Sequence, residues 1–106
     1  MVYTYPATLE RVVDGDTVRL TLDLGFSIRR LDQPYRLLRV NAPEMNTEEG
    51  KAAKGWLEVF LTEKALTAQT QKSDSFGRFL AEVWAGNENV SDALVAAGKA
   101  AYKLYG

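Results

Sequence analysis

Residues 36–44 place several oxygen ligands close to a guanidinium group. The stretch begins as an apolar strand and stops being one at Pro43, which has no N–H to donate to a sheet. Proline also favours an extended conformation for Ala42, whose carbonyl is therefore expected to lie outside the ladder. The Asn41 amide, this carbonyl and the Glu44 carboxylate are oxygens that could bind a hard cation. Taken alone, the stretch is more simply explained as a strand end followed by a polar turn.

Two further acids lie between the first two predicted strands, residues 8–13 and 17–24. Asp14 and Gly15 form a typical hairpin-turn pair, and apolar and polar residues alternate strictly in the second strand. Asp16 has the parity of the apolar row, so we expect it at the mouth of the core, partly desolvated and in need of a partner. The alternative is that both acids only serve the turn.

Composition narrows the chemistry that this chain can perform. The 106 residues include no histidine and no cysteine, which excludes imidazole acid–base catalysis, disulfides and thiolate metal sites. A net charge of −1 argues against broad electrostatic binding of nucleic acid. It does not exclude a local basic groove, or a site where a bound cation supplies the positive charge. No apolar run has membrane-spanning length, and no N-terminal signal pattern is visible in this chain.

The remaining elements predict a single α+β domain containing a small antiparallel barrel. A third strand starts at residues 26–30, breaks at 32–34 and resumes at 35–40, and two more follow at 66–71 and 79–84. An amphipathic helix with an Asn46 cap lies between them. A shorter helix at residues 90–97 has Asn89 as its cap and Gly98 at its end.

Three segments, taken in their order along the chain, resemble a known family: residues 12–18, residues 36–44 and residues 74–78. Together with the pattern of the closing helix, they resemble the thermonuclease family, that is, staphylococcal-nuclease-like domains. The resemblance covers nearly the whole chain, 1–106, as one domain. It implies a five-stranded OB-type antiparallel barrel with about two helices packed on it.

The resemblance also implies an activity, which is calcium-dependent hydrolysis of phosphodiester bonds in DNA and RNA to give 3′-phosphate ends. Another divalent metal is an alternative cofactor. By position, Asp16 matches a metal carboxylate of the family, and Ala42 stands where the family coordinates through a backbone carbonyl. Asn41 stands where a second metal aspartate is usual, and Asp14 matches an acid that supports the metal from outside its coordination shell.

Five further positions correspond to catalytic or substrate-binding residues of the family. Glu44 matches the glutamate that positions or activates water, and Arg36 and Arg78 match the two phosphate-binding arginines. Phe76 replaces a tyrosine that helps to hold the terminal phosphate, and Tyr102 corresponds to an aromatic that contacts the base.

The resemblance implies single-stranded or unpaired DNA or RNA as substrate. We expect a monomer without membrane attachment and, because no signal pattern is visible in this chain, a cytoplasmic location by default. Secreted members also exist. Asn41 departs from the family because it removes one negative charge from the metal site. This departure and the near-neutral net charge favour a second hypothesis, a weakened or inactive module that binds nucleic acid or a protein partner.

Overall fold

The computed structural model describes residues 3–73 and 79–103 of the chain. In chain order, these residues form β1 (Tyr3–Asp14), β2 (Thr17–Gly25), β3 (Ile28–Leu37), β4 (Val40–Asn41), α1 (Glu48–Leu61), β5 (Leu66–Ser73), β6 (Phe79–Ala85), β7 (Glu88–Asn89), α2 (Val90–Ala96) and β8 (Ala101–Tyr102). Neither helix in these ranges has the length and apolar character needed to cross a membrane.

Five of the strands close into a barrel. Strands β3, β2, β1, β5 and β6 follow one another as antiparallel neighbours, and β3 pairs with β6 to complete the ring. The closing pair is parallel, from Tyr35 opposite Phe79 to Leu37 opposite Ala81. The predicted five-stranded barrel with two helices is confirmed, but the barrel is mixed rather than wholly antiparallel. α1 and β5 separate β3 from β6 along the chain, and such a long connection is what a parallel pair requires.

The alternating pattern of β2 fills the barrel as predicted. Val18, Leu20 and Leu22 are almost completely buried, as are Tyr35 and Leu37 from β3. The tip of the β2–β3 hairpin, residues 23–29, is exposed throughout. The apolar row therefore ends before the hairpin does.

β3 is one continuous strand, so the predicted interruption at residues 32–34 is wrong. A bulge absorbs the irregularity, and Asp32 takes up a φ of +43° there. Arg19 holds the bulge from the neighbouring strand, with Nε 2.7 Å from Asp32 Oδ1 and Nη2 2.6 Å from the Asp32 carbonyl. β3 also ends earlier than predicted, because Leu38 and Arg39 turn the chain into the separate strand β4.

α1 is capped by Thr47 and not, as predicted, by Asn46. Thr47 Oγ1 accepts a hydrogen bond from Gly50 N at 3.0 Å and donates one to the Glu44 carbonyl at 2.6 Å. A hydroxyl can accept one hydrogen bond and donate another at the same time. The Thr47 side chain therefore links the start of α1 to Glu44. The predicted apolar stripe is confirmed, and its buried members are Ala53, Leu57 and Leu61.

α2 has the predicted cap and the predicted glycine at its end, and an additional short strand, β8, follows it. Asn89 caps the helix by accepting from Asp92 N at 3.0 Å, and Gly98 follows the helix with a φ of +73°. The segment that follows α2 is also ordered into the fold, because its strand β8 pairs with β4. Tyr102 lies opposite Val40 in this two-residue ladder, and the C-terminal segment thus reaches the predicted site.

Candidate functional site

The turn between β1 and β2 carries Asp16 towards the end of β3. Asp14 Oδ1 accepts a hydrogen bond from Asp16 N at 3.0 Å, which fixes the turn. A Cβ atom on Gly15 would lie 2.6 Å from the Ala42 Cβ and 2.8 Å from the Ala53 Cβ. Glycine at this position therefore lets the turn, the Ala42 segment and α1 approach one another closely.

The Asp16 carboxylate is buried and has two strong partners. The residue is 9% exposed, and its Oδ2 accepts from Ala42 N at 2.9 Å and lies 3.3 Å from Arg36 Nη2. Burial raises the pKa of Asp16 to about 6, helped by the neighbouring Asp14 and opposed by the Ala42 amide and Arg36. Asp16 thus has the partly desolvated position and the partner that its parity in the strand predicted.

Arg36 connects Asp16 to Asn41 at the end of β4. The residue is 7% exposed and forms an ion pair with Asp16, so it is not a solvated surface charge. Nη1 donates to the Leu37 carbonyl at 2.8 Å, and Nη2 donates to Asn41 Oδ1 at 3.3 Å. One guanidinium therefore holds a carboxylate and an amide oxygen together at the end of β3.

Asn41 and Ala42 lie where residues 36–44 leave the sheet. Asn41 Oδ1 and Asp16 Oδ2 each lie 3.3 Å from the same nitrogen, Arg36 Nη2, so the two oxygens converge. The N–H of Ala42 is taken by Asp16, and β4 ends at Asn41. The Ala42 carbonyl is therefore outside the β4–β8 ladder, as predicted.

Glu44 is exposed in the turn that leads into α1. Its backbone carbonyl accepts from Thr47 N at 3.0 Å as well as from the Thr47 hydroxyl. Within residues 3–73 and 79–103, no hydrogen bond or ion pair involves its carboxylate. The structure thus anchors the Glu44 backbone near the site and leaves the side chain in solvent.

The oxygens at this site suit a hard cation but are few. The described part of the chain contains no group of three or more acidic side chains that could enclose a metal ion. One buried carboxylate, from Asp16, and one amide oxygen, from Asn41, converge beside the Ala42 segment. Calcium takes about six to eight oxygens in flexible geometry, so water and substrate would have to complete such a shell.

Of the other predicted substrate-binding residues, the structure describes only Tyr102. Phe76 and Arg78 lie outside the described residues. Tyr102 is 57% exposed in β8, next to the strand of Asn41, and its hydroxyl donates to Asp92 Oδ1 at 2.7 Å.

A cleft of about 510 Å³ opens beside Asn41. It lies between the end of β4, the first turns of α1 and the segment after α2. Its walls are mostly small and apolar, and its lining residues are Asn41, Ala42, Pro43, Glu49, Ala52 and residues 98–101. The cleft leaves space for a bound group next to Asn41.

A second charged cluster, centred on Arg39, was not predicted from the sequence. Its guanidinium binds Glu82, Asn89 and Asp92, which are 43 to 53 residues away along the chain. Tertiary folding alone brings these groups together, so no local spacing could have revealed them.

A closed five-stranded barrel of this strand order, with a buried acid–arginine pair at the end of one strand, defines an OB-type α+β domain. The model of the staphylococcal nuclease homologue family matches residues 34–106, and the chain belongs to this family.

Two relatives illustrate the similarity. The thermonuclease of Staphylococcus intermedius is 33% identical over 105 residues, an alignment that covers 92% of this chain and 59% of the relative. An uncharacterized endonuclease of Escherichia coli O157:H7 is 31% identical over 97 residues, covering 90% of this chain and 60% of the relative. This chain therefore spans about 60% of the length of these relatives.

Proposed function

We propose that this chain is a calcium-dependent nuclease domain that hydrolyses phosphodiester bonds of single-stranded or unpaired DNA or RNA to 3′-phosphate ends. The observation that carries the proposal is the convergence of the Asp16 carboxylate, the Arg36 guanidinium and the Asn41 amide oxygen at the end of β3. Family membership and the names of the relatives, thermonuclease and endonuclease, support it.

The proposed cation ligands are Asp16, Asn41 and the carbonyl of Ala42. When bound, calcium supplies positive charge against the phosphate and a site for the attacking water. The buried Asp16 carboxylate suits this role, because a nearby cation would favour its charged form over the protonated form that burial favours.

Glu44 is the proposed general base, since its solvated carboxylate can accept a proton from water. Arg36 and Arg78 are proposed to bind the phosphate, because a guanidinium offers paired, planar donors that match phosphate oxygens.

A cleavage assay tests the proposed function directly. We expect a single-stranded oligodeoxynucleotide to be cut in the presence of Ca²⁺ and to remain intact in EGTA. Mass spectrometry of the products should show 3′-phosphate ends. Undiminished cleavage in EGTA would contradict the proposed metal dependence. A lack of cleavage with every divalent cation tested would contradict the proposed nuclease activity.

The second candidate function is a non-catalytic module that binds nucleic acid. The neutral amide at Asn41 favours it, as does the lack of an acidic cluster in the described ranges. The cleavage assay combined with a gel-shift experiment distinguishes the two candidate functions. A non-catalytic module would slow the migration of the oligonucleotide in the gel but would not cut it.

Asn41→Asp should tighten Ca²⁺ binding by about tenfold, because calcium affinity depends on the number of charged ligands. Without the ion, the two acids repel each other, and Arg36 between them offsets part of this repulsion. We therefore expect a slightly less stable metal-free protein with higher activity at low Ca²⁺. Calorimetric titration with Ca²⁺ measures the affinity, and thermal unfolding in EGTA measures the stability.

Asn87→Asp is the matched control for this substitution. It makes the same change of charge at an exposed turn after β6 and should leave the Ca²⁺ affinity unchanged. If neither wild-type protein nor Asn41→Asp binds the ion, even with a nucleotide present, then this is not a metal site.

A further inference from the structure

The side chain of Arg39 fixes the turn between β3 and β4 to β6 and α2. Its Nη2 donates to Glu82 Oε1 on β6 at 3.2 Å and to Asn89 Oδ1, at the cap of α2, at 3.0 Å. Its Nη1 donates to Asp92 Oδ1 on α2 at 2.9 Å. Nε bonds the second oxygen of Glu82, so this ion pair is bidentate and has a defined geometry.

Backbone contacts hold the same turn. Leu38 N donates to the Ala81 carbonyl on β6 at 3.0 Å, and the buried Ser91 hydroxyl of α2 donates to the Leu38 carbonyl at 2.8 Å. β6 also pairs with β3 at Arg36, just before the turn. One short stretch of β6, residues 80–82, therefore holds both Arg36 and the turn that follows it.

The backbone of Arg39 is in a conformation that suits glycine better than arginine. Its φ of +70° lies in the left-handed region. The Arg39 side chain is 39% exposed, and ion pairs that are partly exposed to solvent contribute little to stability. The arginine therefore adds little net stability compared with glycine, whereas its planar fork gives the turn a defined geometry. Backbone strain that is kept without a gain in stability points to a functional role.

The turn determines where the chain lies as it enters the candidate site. Val40 is completely buried, and a close-packed interior transmits a displacement rather than absorbing it. Beyond it, Asn41 Oδ1 lies 3.3 Å from Arg36 Nη2, and Ala42 N donates to Asp16 Oδ2 at 2.9 Å. The β4–β8 ladder covers only two residues, and so small a sheet is not stable by itself. A shift of the turn would thus move both groups away from Asp16.

We propose that Arg39 is a positioning residue of the candidate metal site, which holds Asn41 and Ala42 beside Asp16 by binding the preceding turn to β6 and α2. This inference rests on the proposed nuclease function, in which these three residues are cation ligands. Groups that orient metal ligands without touching the ion commonly change its affinity about 10- to 100-fold. Arg39 acts through the backbone, so we expect a smaller effect.

Hydrogen exchange of two backbone amides in EGTA tests the positioning without metal. Ala42 N donates to the carboxylate of Asp16 and Leu37 N to its carbonyl, but only Ala42 follows the turn. Arg39→Gly suits the backbone conformation and removes only the side chain. It should speed exchange of the Ala42 N–H about tenfold through local opening and leave that of Leu37 unchanged. A general loss of stability would instead speed both.

Calorimetric titration with Ca²⁺ alone measures the consequence for the site. Arg39→Gly should weaken Ca²⁺ binding about threefold, less than the loss of a group that contacts a metal ligand directly. Arg19→Ala is the matched control. It removes another arginine that binds an acid in a left-handed conformation, Asp32, and should leave the Ca²⁺ affinity and the exchange rate of Ala42 unchanged.

Glu82→Gln keeps the proposal testable if Arg39→Gly fails to fold. It breaks the bidentate ion pair, keeps the size of the side chain, and should speed exchange of Ala42 about threefold.

Three results would each overturn the positioning role and leave the metal site in place, provided that the wild-type protein binds Ca²⁺. They are equal acceleration of Ala42 and Leu37, no acceleration of Ala42, and an unchanged Ca²⁺ affinity of Arg39→Gly. If the wild-type protein does not bind Ca²⁺, with or without a nucleotide, the proposed metal site is wrong, and this inference with it.

Discussion

Glu44→Gln is expected to lower kcat by about 100- to 10,000-fold, the usual contribution of a general base. Glutamine has nearly the same size but cannot accept a proton from the attacking water. The fold should not change, because the replaced side chain is exposed and only the backbone of Glu44 binds Thr47. Steady-state cleavage of a single-stranded oligodeoxynucleotide in saturating Ca²⁺ measures the effect, and circular dichroism checks the fold.

Glu58→Gln is the matched control, since it removes the same charge from an exposed position of α1. Its kcat should equal that of the wild-type protein. A Glu44→Gln variant with near wild-type turnover would show that another group, or water alone, takes up the proton.

Gly50→Ala should destabilise the protein by about 1–3 kcal/mol or more, the range seen when a well-packed region is overfilled. The added Cβ would lie 1.9 Å from the Glu44 carbonyl oxygen and 2.9 Å from that of Pro43. Both are backbone atoms, so no rotation of a side chain can relieve the contact. Either α1 or residues 43–44 must move, and we therefore expect cleavage to fall together with stability. Urea unfolding measures the change in the free energy of unfolding.

Gly55→Ala provides an internal comparison in the same helix. Among the described residues, and apart from the backbone of its own helix, no atom lies within 4 Å of its added Cβ. Alanine is also the better helix former by about 0.5–1 kcal/mol. This variant should be slightly more stable than the wild-type protein and equally active. A Gly50→Ala variant as stable as Gly55→Ala would contradict the close packing of α1 against residues 43–44.

Regular elements could be predicted from the sequence because their patterns depend on near neighbours. The alternation that buries Leu20 and Leu22, the stripe that buries Leu57 and the cap at Asn89 are all local. The breaks in these patterns were harder to interpret. Asp32 looks like an interruption in the sequence, whereas Arg19 from another strand stabilises it as a bulge in a continuous strand.

The candidate site shows the same division between local and tertiary information. The parity of Asp16 indicated a buried acid near the end of the apolar row, and the structure places it there with Arg36 as its partner. The choice of Thr47 over Asn46 as helix cap depends on a contact with Glu44 that local spacing does not reveal. The roles assigned to these residues in catalysis remain predictions.

The parallel closure of the barrel has a consequence for the order of folding. β3 and β6 are distant in sequence, and pairing of distant segments is slow because a long loop must first be closed. Arg36 belongs to the closing pair, opposite Leu80, whereas Asp16 belongs to a hairpin that can form early from adjacent residues. Once the barrel is closed, the Arg36 strand is held on both sides, by β2 and by β6. A partly folded chain with an open barrel would thus contain the acid without a firmly held arginine, and the phosphate binding proposed for Arg36 would develop only in the last stage of folding.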